Sequence, residues 1–468
     1  MSNNTSENKL GVYVRWRPLD ESETTGGQIE QTSTAAGDTR PPFSISVNPQ
    51  APGNPRPWTS PPAFRAVLGP GDDNAHAYES IVAPAIPQIL RGRSCNFFAY
   101  GHSGSGKTHT IIGYDYEEGS GKLGLCLAAG QRLFEALDSL NGSGGDGNGG
   151  DGDEDGERRL GLSFSLFELR KNTALDLLNG RTACHVREGP DGRTHIRGPT
   201  ETLAGGRVRV QPLTQRACWT PGALREALAA GLGLRAVGSS SVHDQSSRTH
   251  AVLRLEVVDR RLVAARRDLA DRESELVPAG KRATDVSIEE QMRALVKGPD
   301  GAWAPNPDYQ VDQARIDEAE AEKARCEARV AAAEARVSAI LSSSSSDDGT
   351  AGCLGGKMVF VDLAGAEYQA ERGAQTPLMK AQTPQERQEG RQINTDLLAL
   401  KEVIRAWSTG QPRIPFRLSP LTMVLREHFV GAGDGTSAMI VTVSPAKDQY
   451  PATLNSLKYG SLVGTASS

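Results

Sequence analysis

Three short stretches hold residues whose types and spacing suit phosphate chemistry. In GHSGSGKT, Gly101 is followed after four residues by Gly106, Lys107 and Thr108. Glycines at such spacing let successive backbone N–H groups turn toward an anion, while the lysine reaches the β- and γ-phosphates of a nucleotide and the hydroxyl ligates Mg²⁺. SSRTH, residues Ser246 to His250, sets hydroxyls beside Arg248, offering ligands for Mg²⁺ and a γ-phosphate and a cation for a carboxylate. DLAGAE adds Asp362 for a metal's water, Gly365 with a mobile N–H, and Glu367 as the natural partner for Arg248. A bound nucleoside triphosphate is the chemistry these groups predict.

Such groups must be held at the ends of buried elements. Cys95 to Tyr100 reads as a short buried strand, and Lys107 onward as a helix start whose dipole favours negative charge. Strand patterns recur at Leu10 to Arg15, in LGLSFSLFEL, at Ala251 to Val258 and in the run ending at Asp362; RVRVQPL reads as an edge strand or hairpin, and GALREALAAGL as a helix. Strands interleaved with helices around a phosphate loop predict an α/β fold of three layers, a P-loop NTPase with a central, mostly parallel twisted sheet flanked by helices. The folded unit is expected to run from residue 9 to residue 468.

Three segments interrupt that pattern. Residues 48–62 are proline-rich and read as an exposed loop, and 141–157 as a disordered Gly/Asp-rich loop. Residues 259–356 form an insertion: Leu262, Leu269 and Leu276 recur every seven residues, as do Ala319, Cys326, Ala333 and Ile340, with Val330 and Val337 in the second row. Lys323 breaks that row and alanines dominate the first, so an intramolecular antiparallel hairpin is expected rather than a dimerising coil; a single solvated helix is the alternative.

The 468 residues carry a formal net charge of −5, which argues against a nucleic-acid coat. Six scattered cysteines without a CxxC pair suit reduced thiols and no metal cluster. The sequence shows neither a signal peptide nor an apolar run of membrane-spanning length, so a soluble intracellular protein is expected, with no membrane and no nucleic-acid partner.

In order along the chain, VRWRP, AYGHSGSGKTHT, HDQSSRTH and VDLAGAE resemble the adenine-side motif, phosphate loop, switch I and switch II of the kinesin motor domain. The resemblance covers nearly all of the chain outside the insertion, and LLALKEVIRA, LTMVLREHFVG and TLNSLKYGSLV are worded most like the internal-motor, microtubule-depolymerising class. It implies ATP and Mg²⁺ as cofactors. Arg15 and Pro18 would pack against adenine, and Gly101, His102, Ser103, Gly104, Ser105, Gly106, Lys107, Thr108 and His109 would form the cradle. Thr108, Ser247 and Asp362 would serve the metal. Ser246, Arg248, Gly365 and Glu367 would act on the γ-phosphate, with Arg248 and Glu367 latching to position the attacking water.

The function implied is an ATP-dependent microtubule motor of the cytoplasmic cytoskeleton; the alternative is a divergent nucleotide- or microtubule-binding scaffold with little turnover. A metabolic phosphate-loop kinase leaves SSRTH, INTDLLAL and TLNSLKYG unexplained. Departures from the family's usual wording fall at His243, Ala366, Thr395, Asp396 and Pro420. Thr395 and Pro420 stand where lysines are usual on the expected microtubule face. That face, Arg372 to Arg426, is expected to be net positive through Lys401, Arg405, Arg413 and Arg417 among others, with Asp396 counted among its acids. NPRPWTS stands where the depolymerising class has a Lys-Val-Asp finger, and the resemblance leaves no neck, stalk or tail in this sequence. A monomer is expected unless the insertion self-associates.

Overall fold

The computed structural model describes residues 10–21, 23, 42–48, 57–116, 122–143, 154–170, 173–189, 192, 194–236, 249–298, 302–342, 351–365, 384–430 and 435–466. Twelve strands form one sheet: β1 (Leu10–Trp16), β2 (Ala66–Leu68), β3 (Ser94–Tyr100), β4 (Gly161–Arg170), β5 (Thr173–Asp176), β6 (Thr182–Glu188), β7 (Thr194–Thr202), β8 (Val208–Pro212), β9 (Arg216–Cys218), β10 (His250–Val258), β11 (Lys357–Asp362) and β12 (Ser437–Val443). Their order is β8-β7-β6-β5-β4-β10-β11-β3-β12-β1-β2, with β9 paired to β4. Pairing is parallel from β11 through β3, β12 and β1 to β2. Beyond β11 it is antiparallel. RVRVQPL is the edge strand β8, hydrogen-bonded to β7 as a hairpin.

The central strands are buried on both faces, and their side chains alternate between two cores. Cys95, Phe97 and Ala99 of β3, with Met358 and Phe360 of β11, enter one core; Phe98, Tyr100, Val359 and Val361 enter the other. This two-residue alternation explains why these segments are apolar throughout. Helices α1 (Asn74–Ile81), α3 (Leu125–Ser143) and α4 (Pro221–Ala236) cover the first face. Helices α7 (Pro384–Ser408) and α8 (Tyr450–Ala466) cover the second. Ile393, Leu397, Leu400 and Ile404 of α7 recur at helical spacing and are buried. The short helix α2 (Lys107–Ile111) follows the phosphate loop.

Between the antiparallel neighbours β10 and β11 the chain makes α5 (Arg260–Arg293) and α6 (Gln313–Ser342), packed on each other as a hairpin. Ala319, Cys326 and Ala333 are its buried row, and Ala319 meets Ala283 and Val286 at the distal part. The alanine-rich row is thus satisfied within the chain. Asp259 caps α5, its carboxylate accepting from the Leu262 amide at 2.7 Å. The hairpin base is seated on the sheet domain: Leu262 and Ala265 are buried, and Ile340 and Leu341 pack against the first core.

The two segments expected as loops are partly ordered. Helix α3 runs to Ser143 and another helix spans Glu154–Arg158, so the ends of 141–157 are helical; 144–153 lie outside the described residues. Trp58–Thr59 pairs with Ser46–Val47 as a short ribbon at the end of the proline-rich stretch.

Candidate functional site

The parallel pairings align the carboxyl ends of β1, β3, β11 and β12 along one edge of the sheet, where α/β folds place ligands. β10 runs the other way, so its first residue, His250, arrives at the same edge beside Asp362. The described parts of the four motifs are brought together by this strand order.

Leaving β3, the phosphate loop turns back through Gly104 and Gly106, with φ of 76° and 97°, angles that favour glycine. Ser105 Oγ lies 2.7 Å from Thr442 Oγ1 at the end of β12, anchoring the loop to its neighbour. Lys107 is buried, and its Nζ donates to the carbonyls of Gly101 at 3.1 Å and His102 at 2.7 Å. Burial brings its pKa down to about 8, against the opposing attraction of Asp362. The His102 ring turns inward, contacting Thr453 Oγ1 at 3.2 Å, and burial lowers its pKa to about 4. His102 therefore offers the loop its backbone, while its ring is a core group.

The DLAG segment closes onto this loop. Thr108 Oγ1 donates to Asp362 Oδ2 at 2.8 Å. A Cβ on Gly365 would stand 2.6 Å from the backbone N and Cα of Ser103, so only glycine lets the two motifs approach. Asp362 is fully buried, and its other oxygen, Oδ1, has no hydrogen-bond partner among the described residues. A buried acceptor beside a threonine hydroxyl fits the hard-oxygen ligation or water-mediated ligation of Mg²⁺. Ser246, Ser247, Arg248 and Glu367 lie outside the described residues.

Beside the loop is a pocket of about 260 Å³, lined by Arg15, Pro18, Asp72, Asn74, Ser105 and His109 among others. Arg15 is itself buried: its Nη1 donates to Asn74 Oδ1 at 2.5 Å and to Thr110 Oγ1 at 2.9 Å. Burial lowers its pKa to about 10 despite Asp72 and Asp73 nearby. Arg15 thus ties β1 to α1 and α2 within the pocket wall.

Arg235, absent from the motif reading, belongs to this site. It ends α4, is 4 % exposed, and donates from Nη1 to Asp362 Oδ2 at 3.1 Å and from Nη2 to the Thr249 carbonyl at 3.0 Å. Its signal in the sequence was faint: an arginine seven residues after Leu228, on the buried face of an otherwise Ala/Leu-rich helix.

Of the expected microtubule face, Arg372, Lys380 and the side chain of Arg387 lie outside the described residues. Two corrections apply to the rest. Asp396 is 4 % exposed and points into the protein, so it is no surface acid. Arg417 and Arg426 both pair with Glu188 at the end of β6, which offsets part of their charge. Pro420 is the first residue of the helix Pro420–Val424, capped by Ser419 with Thr422 completing a capping box.

Fold and site define a phosphate-loop nucleotide-binding protein of three layers. The kinesin motor domain model matches residues 15–277 and 317–465, leaving out only 278–316, the distal hairpin, between its two parts. The chain belongs to the kinesin motor domain family. It is 26 % identical over 460 residues to kinesin-like protein KIN-13B of Arabidopsis thaliana, covering 98 % of this chain and 48 % of that protein. It is 28 % identical over 404 residues to KIN-13A of Oryza sativa subsp. japonica, covering 86 % and 35 %. The chain thus spans about half or less of these relatives, and their designation agrees with the internal-motor wording of its last third. Among solved structures, the motor domain of the Kar3-like kinesin from Ashbya gossypii shares the fold with a TM-score of 0.55 at 18 % identity, covering 97 % of this chain and 99 % of that one. A KIF14 motor dimer with AMP-PNP on a microtubule gives a TM-score of 0.57 at 19 % identity, covering 98 % and 94 %. No described helix is long and apolar enough to cross a membrane.

Proposed function

We propose that this chain binds MgATP and hydrolyses it, coupling movement of its two switches to its grip on microtubules in the cytoskeleton. The observation that carries this reading is the meeting of Thr108 with Asp362, 254 residues apart, while Gly365 rests on the phosphate loop. In this reading Lys107 binds the β- and γ-phosphates, and Thr108, Ser247 and Asp362 hold Mg²⁺, which would neutralise developing phosphate charge. Ser246 and the Gly365 amide contact the γ-phosphate, and Arg248 pairs with Glu367 to orient water. No covalent enzyme intermediate is needed.

A second reading, a nucleotide- or microtubule-binding scaffold with little turnover, is favoured by Glu188, which holds two of the cations on the expected track face. Steady-state ATPase and co-sedimentation with microtubules separate the two. A motor shows stimulated turnover and binding that both weaken as salt rises, because screening acts over roughly 10 Å at 0.1 M. Thr395→Lys tightens binding most at low salt. Co-sedimentation without stimulation supports the scaffold. Neither at low salt, with ATP or without nucleotide, removes the microtubule function.

A further inference from the structure

We infer that Asp396 is a positioning residue that acts through the His250 ring, tying helix α7 to the Ala364–Gly365 backbone beside the phosphate loop. His250 Nδ1 accepts the Ala364 amide at 2.9 Å. A neutral imidazole that accepts at Nδ1 carries its proton on Nε2. That Nε2 has no hydrogen-bond partner among the described residues, and it faces Asp396 Oδ2 at 4.0 Å. Both side chains are buried, 2 % and 5 % exposed. A closure of about 1 Å, within the reach of a small side-chain rotation, converts this contact into an N–H···O bond.

Asp396 is held from its other side as well. Its Oδ1 accepts from Gln392 Nε2 at 3.2 Å, one turn earlier in α7. A buried polar chain therefore runs from the Ala364 N–H through His250 to Asp396 and Gln392, linking β10, the DLAG turn and α7. Burial, reinforced by Arg235 and Lys107, lowers the pKa of His250 to about 3, so the ring stays neutral and keeps this tautomer. An interior carboxylate oxygen without a donor is costly; the His250 Nε2–H is the donor that faces Oδ2. The family's usual serine at this position ends one bond sooner, in a hydroxyl where this chain has a carboxyl, so this link belongs to this chain.

The kinetic part of the test rests on the ATPase reading; the spectroscopic part does not. In the full-length parent, ¹⁵N NMR of the histidine rings is expected to show His250 as the Nε2–H tautomer; an Nδ1–H tautomer overturns the inference. Asp396→Leu, which keeps bulk but removes the acceptor, is expected to speed amide hydrogen exchange in the peptide covering 357–365. It should lower kcat about tenfold while leaving KM for ATP within about threefold. Asp396→Asn, whose amide oxygen accepts the same bond, is expected to restore both. Unchanged exchange in Asp396→Leu, or an equal defect in both variants, overturns the inference. If Asp396→Leu does not fold, the tautomer in the parent decides. A parent without ATPase activity counts against the proposed function alone, since exchange and tautomer still decide the positioning role.

Discussion

The nucleotide pole and the helical hairpin are both dense in charge and treat it in opposite ways. At the pole, Lys107, Asp362, Arg235 and His250 are each 6 % exposed or less. Along the hairpin, Arg282 and Glu322 pair at 2.9 Å with side chains 61 % and 41 % exposed, and Arg293 pairs with Glu289 at similar exposure. Water solvates the ions of these two pairs whether or not they pair, so each contributes about 0–1 kcal/mol, whereas Glu290, 1 % exposed between Arg293 and Arg315, is the hairpin's buried exception. The pole's ions are out of water and held by one another and by a few neighbouring hydroxyl and carbonyl groups, so removing a partner strands a charge in the interior. The proposed site lies where a lost contact is most expensive.

Four substitutions test that contrast, the largest effect first. Lys107→Ala should lower ATP turnover by about 10²–10³-fold or more, because the loop loses its cation for the β- and γ-phosphates. A parent-like rate in a steady-state assay would remove the phosphate-loop assignment. Arg235→Met, which preserves much of the bulk, should destabilise the fold by about 3–5 kcal/mol in urea titration by leaving Asp362 without its buried cation. A loss below about 1 kcal/mol would mean that Thr108 suffices for Asp362.

Asp396→Asn tests a carboxyl that burial raises from 3.8 to about 6. Between those values the folded state holds a proton that the unfolded state has released, so stability falls as pH rises through that window. The asparagine variant lacks this penalty: it should match the parent near pH 4 and exceed it above pH 6 by about 1–3 kcal/mol. Melting curves at the two pH values that show no change in the difference would refute the shift. At the hairpin, Arg282→Ala should cost less than about 1 kcal/mol. Replacing 278–316 by a short Gly/Ser link should leave a folded nucleotide binder, because the buried Leu262 and Ala265 and the partly buried Ile340 and Leu341 at the base are spared. Loss of nucleotide binding in a folded truncated protein would show that the distal hairpin reaches the site's chemistry. β10 spans nine residues from His250 to Val258, about 26 Å at 3.3 Å per residue, which sets the two regions at opposite ends of that strand.

Much of the fold was legible because its signals are local. Apolar runs such as Cys95 to Tyr100 mark strands buried on both faces, and heptad alanines mark a helical pair. The phosphate loop was legible for the same reason: Gly104, Gly106, Lys107 and Thr108 are neighbours in the chain, and their angles and chemistry follow from residue type. Three things stayed hidden. Arg235 looks like one more arginine on an amphipathic helix, Asp396 like one more acid on a charged one, and Arg417 and Arg426 like open cations.

By itself, then, the sequence pointed to a nucleotide-binding α/β unit, to the residues that read as a phosphate cradle and to a helical insertion whose hairpin form it left open, since each is written in residues a few positions apart. Only the tertiary structure decided who meets whom. The strand order β10-β11-β3-β12-β1 brings His250, Asp362, Gly101 and Arg15 to one edge. The packing of α4 delivers Arg235 to Asp362, and that of α7 turns Asp396 toward His250. Glu188 comes to Arg417 across 229 residues. Such partnerships depend on which face each element buries and on the register between strands, and no local spacing encodes either, because a buried charge chooses its partner from whatever the fold places within a few ångströms.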